Sequence, residues 1–152
     1  MGDGNGVSVH CANFDVLLAV GPDIVDVTDH VAAIVRQSGV RDGGAQLTAI
    51  GSTASLSAIE FEPGAVADLK RAIGRLAPAD LAYQHELAWH DGNGHSHVQA
   101  ALLGPSLAVP IRDGRLRLGT WQQIILINHD TRPRRRTVEV TVVGHGQKME
   151  RR

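Results

Sequence analysis

Four of the eight histidines of this 152-residue chain fall in thirteen residues, His85-Glu86-Leu87-Ala88-Trp89-His90-Asp91-Gly92-Asn93-Gly94-His95-Ser96-His97. Imidazole is the commonest protein ligand for metals and the usual proton carrier near neutral pH. Gly92 and Gly94 would let the backbone bring several of these side chains to one point. A zinc site needs three or four nitrogen, oxygen or sulfur ligands, with one position left open when it is catalytic. His85, His95 and His97 are the residues assigned to a divalent metal, zinc or magnesium. His90 reads as a surface residue or as a group orienting a ligand. His95 and His97, two apart, share a face on an extended segment and diverge inside a regular helix. The plain alternative is a polar loop whose histidines hydrogen-bond to the backbone.

Other groups could complete such a site. Glu60, at the end of an apolar stretch, reads as a general base, as an orienter of a ligand histidine or as a metal ligand, or else as a solvated strand end beside Glu62. Ser52, Thr53 and Ser55 follow Gly51; a turn of that kind can offer hydroxyl and N–H donors to an anion and is equally ordinary turn chemistry. Trp121 could stack on a ring, with Gln122 reading that ring's edge, although tryptophan more often packs. Arg134, Arg135 and Arg136 could grip a phosphate. As a run before a strand they read first as a solvated face, with Arg135 taken as the one that reaches a ligand.

Composition excludes several classes. Net charge is −1, so no general footprint for nucleic acid or an anionic membrane exists. Cys11 is the single cysteine, which rules out an intrachain disulfide and a four-thiolate metal site. No apolar stretch approaches a membrane span, and the glycine-rich start lacks the regions of a secretory signal. The expected setting is the cytoplasm. No glycine-rich nucleotide motif or nucleophile elbow is present.

The elements needed to position these groups are legible. Strands are expected over 14–20, 46–51, 55–60 and 137–143, and Asp113-Gly114 marks a hairpin between 106–111 and 115–118. Thr28 is expected to cap a helix over 29–38 that Gly39 stops. Pro63 opens a second helix to about Leu76, with Val66, Leu69, Ile73 and Leu76 on one face. A third, short helix carries Val98 to Leu103, capped by Asn93 or Ser96. The run Ile124-Ile125-Leu126-Ile127 fits a strand covered on both faces. The pattern is α+β, one domain over 11–145, with a flexible tail over 1–10 and a charged tail over 146–152.

His95-Ser-His97, Ala101-Leu-Leu-Gly-Pro-Ser-Leu-Ala-Val-Pro110, Asp113-Gly-Arg-Leu-Arg-Leu-Gly-Thr-Trp-Gln-Gln123 and Arg132-Pro-Arg-Arg-Arg136 together resemble the YjbQ family. The likeness runs from about Val16 to Gly144 and includes Ser52-Thr53-Ala54 leading to Glu60. It implies antiparallel, β-sandwich-like sheets with two to three helices, and a homotrimer. It also implies a site near the subunit boundary, built from the Thr53/Glu60, histidine and Gly119–Gln122 segments. Many relatives carry Pro-His-Thr-Thr where this chain has Gly51-Ser52-Thr53-Ala54, and many lack His90 and His95. The open question is whether His95 replaces the histidine missing at Ser52.

The leading expectation is a metal-assisted enzyme acting on a small phosphorylated or anionic molecule. Glu60, Thr53 and Gln122 would be its catalytic residues; Ser52, Trp121 and Arg135 would hold the ligand. Resemblance alone implies weak thiamine-phosphate synthase activity, joining a pyrimidine pyrophosphate to a thiazole phosphate. The dedicated synthase of that reaction is a (β/α)-barrel longer than this chain permits. The alternative is a trimeric metal- or ligand-binding module without turnover.

Overall fold

The four aliphatic residues Ile124–Ile127 organise the molecule. In the computed structural model, which describes residues 6–146, they form most of β7 (Gln123–Asn128) and all are buried. Strand alternation sends Ile124 and Leu126 to one side and Ile125 and Ile127 to the other. Each side meets its own core, as the unbroken apolar run requires.

β7 is the centre of a three-stranded antiparallel sheet between β2 (Asp23–Asp26) and β4 (Ala54–Ile59). Its register with β4 runs from Ala54 opposite Asn128 to Ile59 opposite Gln123. The second sheet has five strands in the order β1 (Ser8–Leu18), β8 (Arg134–His145), β3 (Asp42–Ile50), β5 (Ser106–Arg112), β6 (Arg115–Leu116). Ile124, Leu126 and Leu56 pack against Leu47, Val138 and Val140 between the sheets, and α1 (Thr28–Ser38) closes this core with Val31, Ile34 and Val35. Ile125 and Ile127 pack with Ile73 and Leu69 of α2 (Pro63–Leu76) and Leu103 of α4 (Gly94–Leu103). The α+β class is what the residue pattern leads one to expect, and the sandwiched antiparallel sheets are what the family resemblance implies. A fourth helix, the single turn α3 (Glu86–Trp89), adds to the three anticipated.

Local chemistry explains most boundaries. Asp113 and Gly114 have φ of 52° and 74°, the positive values of a tight two-residue hairpin turn. Glu62 caps α2 by accepting from the N–H groups of Gly64 (2.7 Å) and Ala65 (2.9 Å). Those two bonds also hold its carboxyl below the usual range. Thr28 does not cap α1 as expected: it lies inside the helix, donates its hydroxyl to Asp26 and accepts from the Ile124 N–H. The helix is thereby tied to β7. Leu76 faces solvent, and the chain turns so that Ala77 is buried in its place. β1 begins at Ser8, so residues 8–10 belong to the sheet, paired with β8, and not to a tail. Residues 1–5 and 147–152 of the two expected tails lie outside the described residues. No described helix is long and apolar enough to cross a membrane.

Candidate functional site

β7 ends at Asn128 and the chain continues into His129 and Asp130, all three polar and each at most 2% exposed. Polar groups taken out of water must find partners or cost several kcal/mol, roughly 2–7 depending on the reference state. Asp130 accepts from Thr53 Oγ1 (2.9 Å), Asn93 Nδ2 (3.2 Å), Arg134 Nε (3.0 Å) and the Arg132 N–H (3.0 Å). Buried Arg136 donates to Asn128 Oδ1 (2.6 Å), the Thr53 carbonyl (3.1 Å) and Thr53 Oγ1. Burial alone would raise the Asp130 pKa, but donors from Asn93, Arg134 and Thr53 win and hold it at about 2. Burial lowers the Arg136 pKa, with the Asp130 charge opposing that shift. The chain passes Gly21 against this knot so closely that any Cβ there would strike the Asn128 and His129 backbone.

His129 occupies the adjoining pocket. Gln99 donates Nε2 to the Ala77 carbonyl (2.9 Å), which turns its Oε1 toward His129 Nδ1 at 3.0 Å. An amide oxygen only accepts, so Nδ1 carries the proton and the bare Nε2 accepts from Ser55 Oγ at 2.7 Å. Burial first, then the Arg136 and His95 charges, lower the His129 pKa to about 4, so the ring is neutral at pH 7. The Ser55–His129–Gln99 order resembles a nucleophile, base and orienter. Ser55 is 0% exposed, so no substrate reaches its hydroxyl, and the arrangement is architectural.

The histidine segment lies over this knot. Glu86 accepts from the N–H groups of Gly92 (2.7 Å) and Gly94 (2.9 Å), which folds the loop back on α3 and lowers its carboxyl pKa. Gly94 starts α4 against Tyr83, where a Cβ would clash. Because α4 begins at Gly94, His95 and His97 project about 200° apart around its axis. His97 meets His85, ring centroids 4.5 Å apart. His97 Nδ1 lies 3.2 Å from the Ser52 carbonyl, to which it donates. Its Nε2 keeps a lone pair. His85 Nε2 is buried with no hydrogen-bond partner, and Asp91 Oδ1 lies 3.4 Å away. One donor atom each from His85, Glu86 and Asp91 lies within 4.8 Å of the others.

The expected residues are thus brought together only in part. His85 and His97 converge. His95 turns to Tyr83 and to Ser96 Oγ at 3.4 Å, and it is His97 that bonds to Ser52. His90 is an exposed residue with φ 52° that ends α3. Thr53 is 4% exposed and spends its hydroxyl on Asp130 and Arg136, so it holds the knot. Arg135 points to the opposite face of β8 from Arg136 and pairs with Asp15 at 3.0 Å; a hydrogen bond from Thr137 and then that pair lower the Asp15 pKa. Glu60, Trp121 and Gln122 lie at the far end of the β4–β7 pair, roughly 17 Å along the strands from Asn128. Gln122 there closes a turn by accepting from the Gly119 N–H at 3.0 Å.

The residue pattern does not mark Glu86, Asp91, His129 or Asp130; it offers Asn93 only as a helix cap and Arg136 only as one of a run of three arginines. One signal was available for Asn128-His129-Asp130: three polar residues directly after four buried aliphatics on a central strand must also be buried.

A family model described as UPF0047 protein YjbQ-like matches residues 13–145. The chain is 34% identical over 122 residues to a UPF0047 protein of Methanothermobacter thermautotrophicus, covering 80% of this chain and 83% of that one. It is 32% identical over 124 residues to the UPF0047 protein YugU of Bacillus subtilis, covering 80% and 90%. The crystal structure of a YbjQ-like protein of unknown function from Sulfolobus solfataricus P2 matches with a TM-score of 0.87 at 32% identity, covering 92% of this chain and 100% of that chain. With the match spanning nearly the whole described fold, from β1 through β8, this chain belongs to the YjbQ-like UPF0047 family.

Proposed function

We propose that the protein is a metal-assisted enzyme acting on a small phosphorylated substrate, with the ion held by His85 and His97 and by the carboxylates beside them. One observation carries this reading: His85 Nε2 is buried without a hydrogen-bond partner, next to Asp91 Oδ1 and the His97 ring. Leaving a buried ring nitrogen without a hydrogen bond is unfavourable, and a metal would relieve it. The bond from His97 Nδ1 to Ser52 supports the same reading, because it fixes the ring and leaves Nε2 free to accept a metal. Two imidazoles with carboxylate oxygens fit zinc better than magnesium, which favours oxygen ligands and water. Bound there, the ion would polarise a phosphoryl oxygen and stabilise a departing phosphate. Glu86 and the Asn93 turn hold the segment in place, while Asp130 orients Arg134, whose partly exposed guanidinium is placed to meet an anion.

The Glu60–Trp121–Gln122 end enters the same reading through a homotrimer, in which one protomer supplies that end to its neighbour's histidines. Both tryptophans are 72% exposed, Trp89 beside the His85 ring and Trp121 at the far end of β7. Exposed aromatics of that size are the usual anchors of an interface.

Metal analysis of tag-free protein grown in replete medium tests the core of the reading. Near one equivalent of zinc is expected, lost in both His85→Ala and His97→Ala with the fold intact by circular dichroism. Metal-free wild type under those conditions refutes it. Turnover is tested on phosphate monoesters and pyrophosphates, and the thiamine reaction by rescue of a thiamine-requiring strain at ordinary expression. Stoichiometric metal with no turnover on any of these would leave the binding-module reading. Light scattering that returns a monomer at micromolar concentration would remove the shared-site model.

A further inference from the structure

α1 and the β5–β6 hairpin enclose a groove of about 700 Å³ that shares no residue with the histidine site. Its floor is apolar, built from Ala32, Val35, Val40, Leu116 and Leu118. Its rim carries three arginines, Arg36, Arg41 and Arg115, against one acid, Asp113. The Arg41–Asp113 pair is long, 3.5 Å, and its aspartate is 88% exposed, so solvent screens it strongly. Arg36 and Arg115 form no ion pair among the described residues.

We infer that this groove binds a small amphipathic anion, its apolar body on the floor and its carboxylate or phosphate between Arg36 and Arg115. The volume falls within the range of small-molecule sites, roughly 300–1,000 Å³, and such sites combine apolar walls with a few polar groups that orient the ligand. The charge on the rim sets the ligand's sign. Two guanidiniums without an acid favour an anionic head, because guanidinium donors match the geometry of a carboxylate or phosphate. The apolar floor sets the rest: a bare inorganic ion would leave half-buried Leu116 and Leu118 uncovered, whereas an alkyl or aryl body would take them out of water. Both flanking turns are closed by backbone bonds, from the Gly39 N–H to the Arg36 carbonyl at 3.3 Å and from the Gly114 N–H to the Arg41 carbonyl at 2.9 Å. The groove is present in the ligand-free protein.

The test uses the full chain with anilinonaphthalene sulfonate as a fluorescent amphipathic anion, octanoate as a competitor and octanol as its uncharged counterpart. One saturable site is expected, displaced by octanoate and not by octanol. Arg36→Glu with Arg115→Glu should weaken the probe by about tenfold or more, through loss of two charge-assisted contacts. Ala32→Trp should block the groove, and His97→Ala should leave binding unchanged. Both arginines are exposed, so the charge-reversed protein is expected to keep its circular dichroism spectrum and decides the matter even if Ala32→Trp misfolds. The inference is overturned by absence of saturable binding to the folded wild type, by equal affinity in the charge-reversed variant, by displacement with octanol, or by loss of binding in His97→Ala.

Discussion

His129 should make the stability of this fold depend on pH in a window that no exposed histidine would create. Its ring sits between Ser55 and Gln99 in a tautomer that only the neutral form can adopt, and its folded pKa is about 4 against an ordinary 6.5. The folded state therefore resists protonation while the unfolded chain accepts it. The stabilisation is complete above about pH 6.5, falls as the pH drops below that value, and is lost through about pH 4. For those two values, protonation of the unfolded chain lowers stability by about 2–3 kcal/mol between about pH 7.5 and about pH 4.5. In a chain of this length that corresponds to roughly 5–10 °C in Tm. The perturbation is His129→Gln, which keeps a polar group in the pocket and removes the titration. Urea unfolding of both proteins across that range isolates one residue, because every other group contributes to both curves. The wild-type advantage over the variant should shrink by about 2–3 kcal/mol as the pH falls. Parallel curves, within about 0.5 kcal/mol throughout, would refute the assignment of a buried neutral His129.

Asp130→Ala removes the acceptor that Arg134, Asn93 and Thr53 share and leaves buried Arg136 without its nearest carboxylate; thermal or denaturant unfolding at pH 7 should show a loss of roughly 3–5 kcal/mol. Arg135→Ala, one residue from Arg136 but exposed on the outer face, should cost under about 1 kcal/mol and leave metal content unchanged, and a loss of bound metal would place Arg135 in the site after all. Ile125→Ala empties a fully buried position between the small sheet and α2, and unfolding should register roughly 2–5 kcal/mol.

The elements were largely legible in the chain because each carries a local cause. Pro63 and Glu62 set the start of α2, Gly39 ends α1, and Asp113-Gly114 turns the β5–β6 hairpin. Period-two alternation marks β8, and the unbroken run in β7 announces two buried faces. The single turn α3 escaped because four residues carry no period. The start of β1 escaped because its outer face is solvated and its partner β8 lies more than a hundred residues away.

The site divides along the same line. The identity of His85 and His97 as a pair worth watching follows from residue type and density, which are properties of the chain. Their convergence depends on α4 starting at Gly94 and on the Ser52 carbonyl that fixes the His97 ring, both consequences of packing. The same helix start separates His95 from them, since two helical steps rotate a side chain through about 200°. The register of β4 with β7 places Glu60 and Gln122 at one end and Thr53 with Asp130 at the other. Arg136 rather than Arg135 enters the interior because adjacent residues of a strand face opposite ways, and the core-facing parity of β8 is set by Val138 and Val140. Local composition thus specifies which elements form and which residue types could do chemistry. Which of those residues meet is a matter of long-range register and helix phase, where a shift of one residue sends a side chain to the other face.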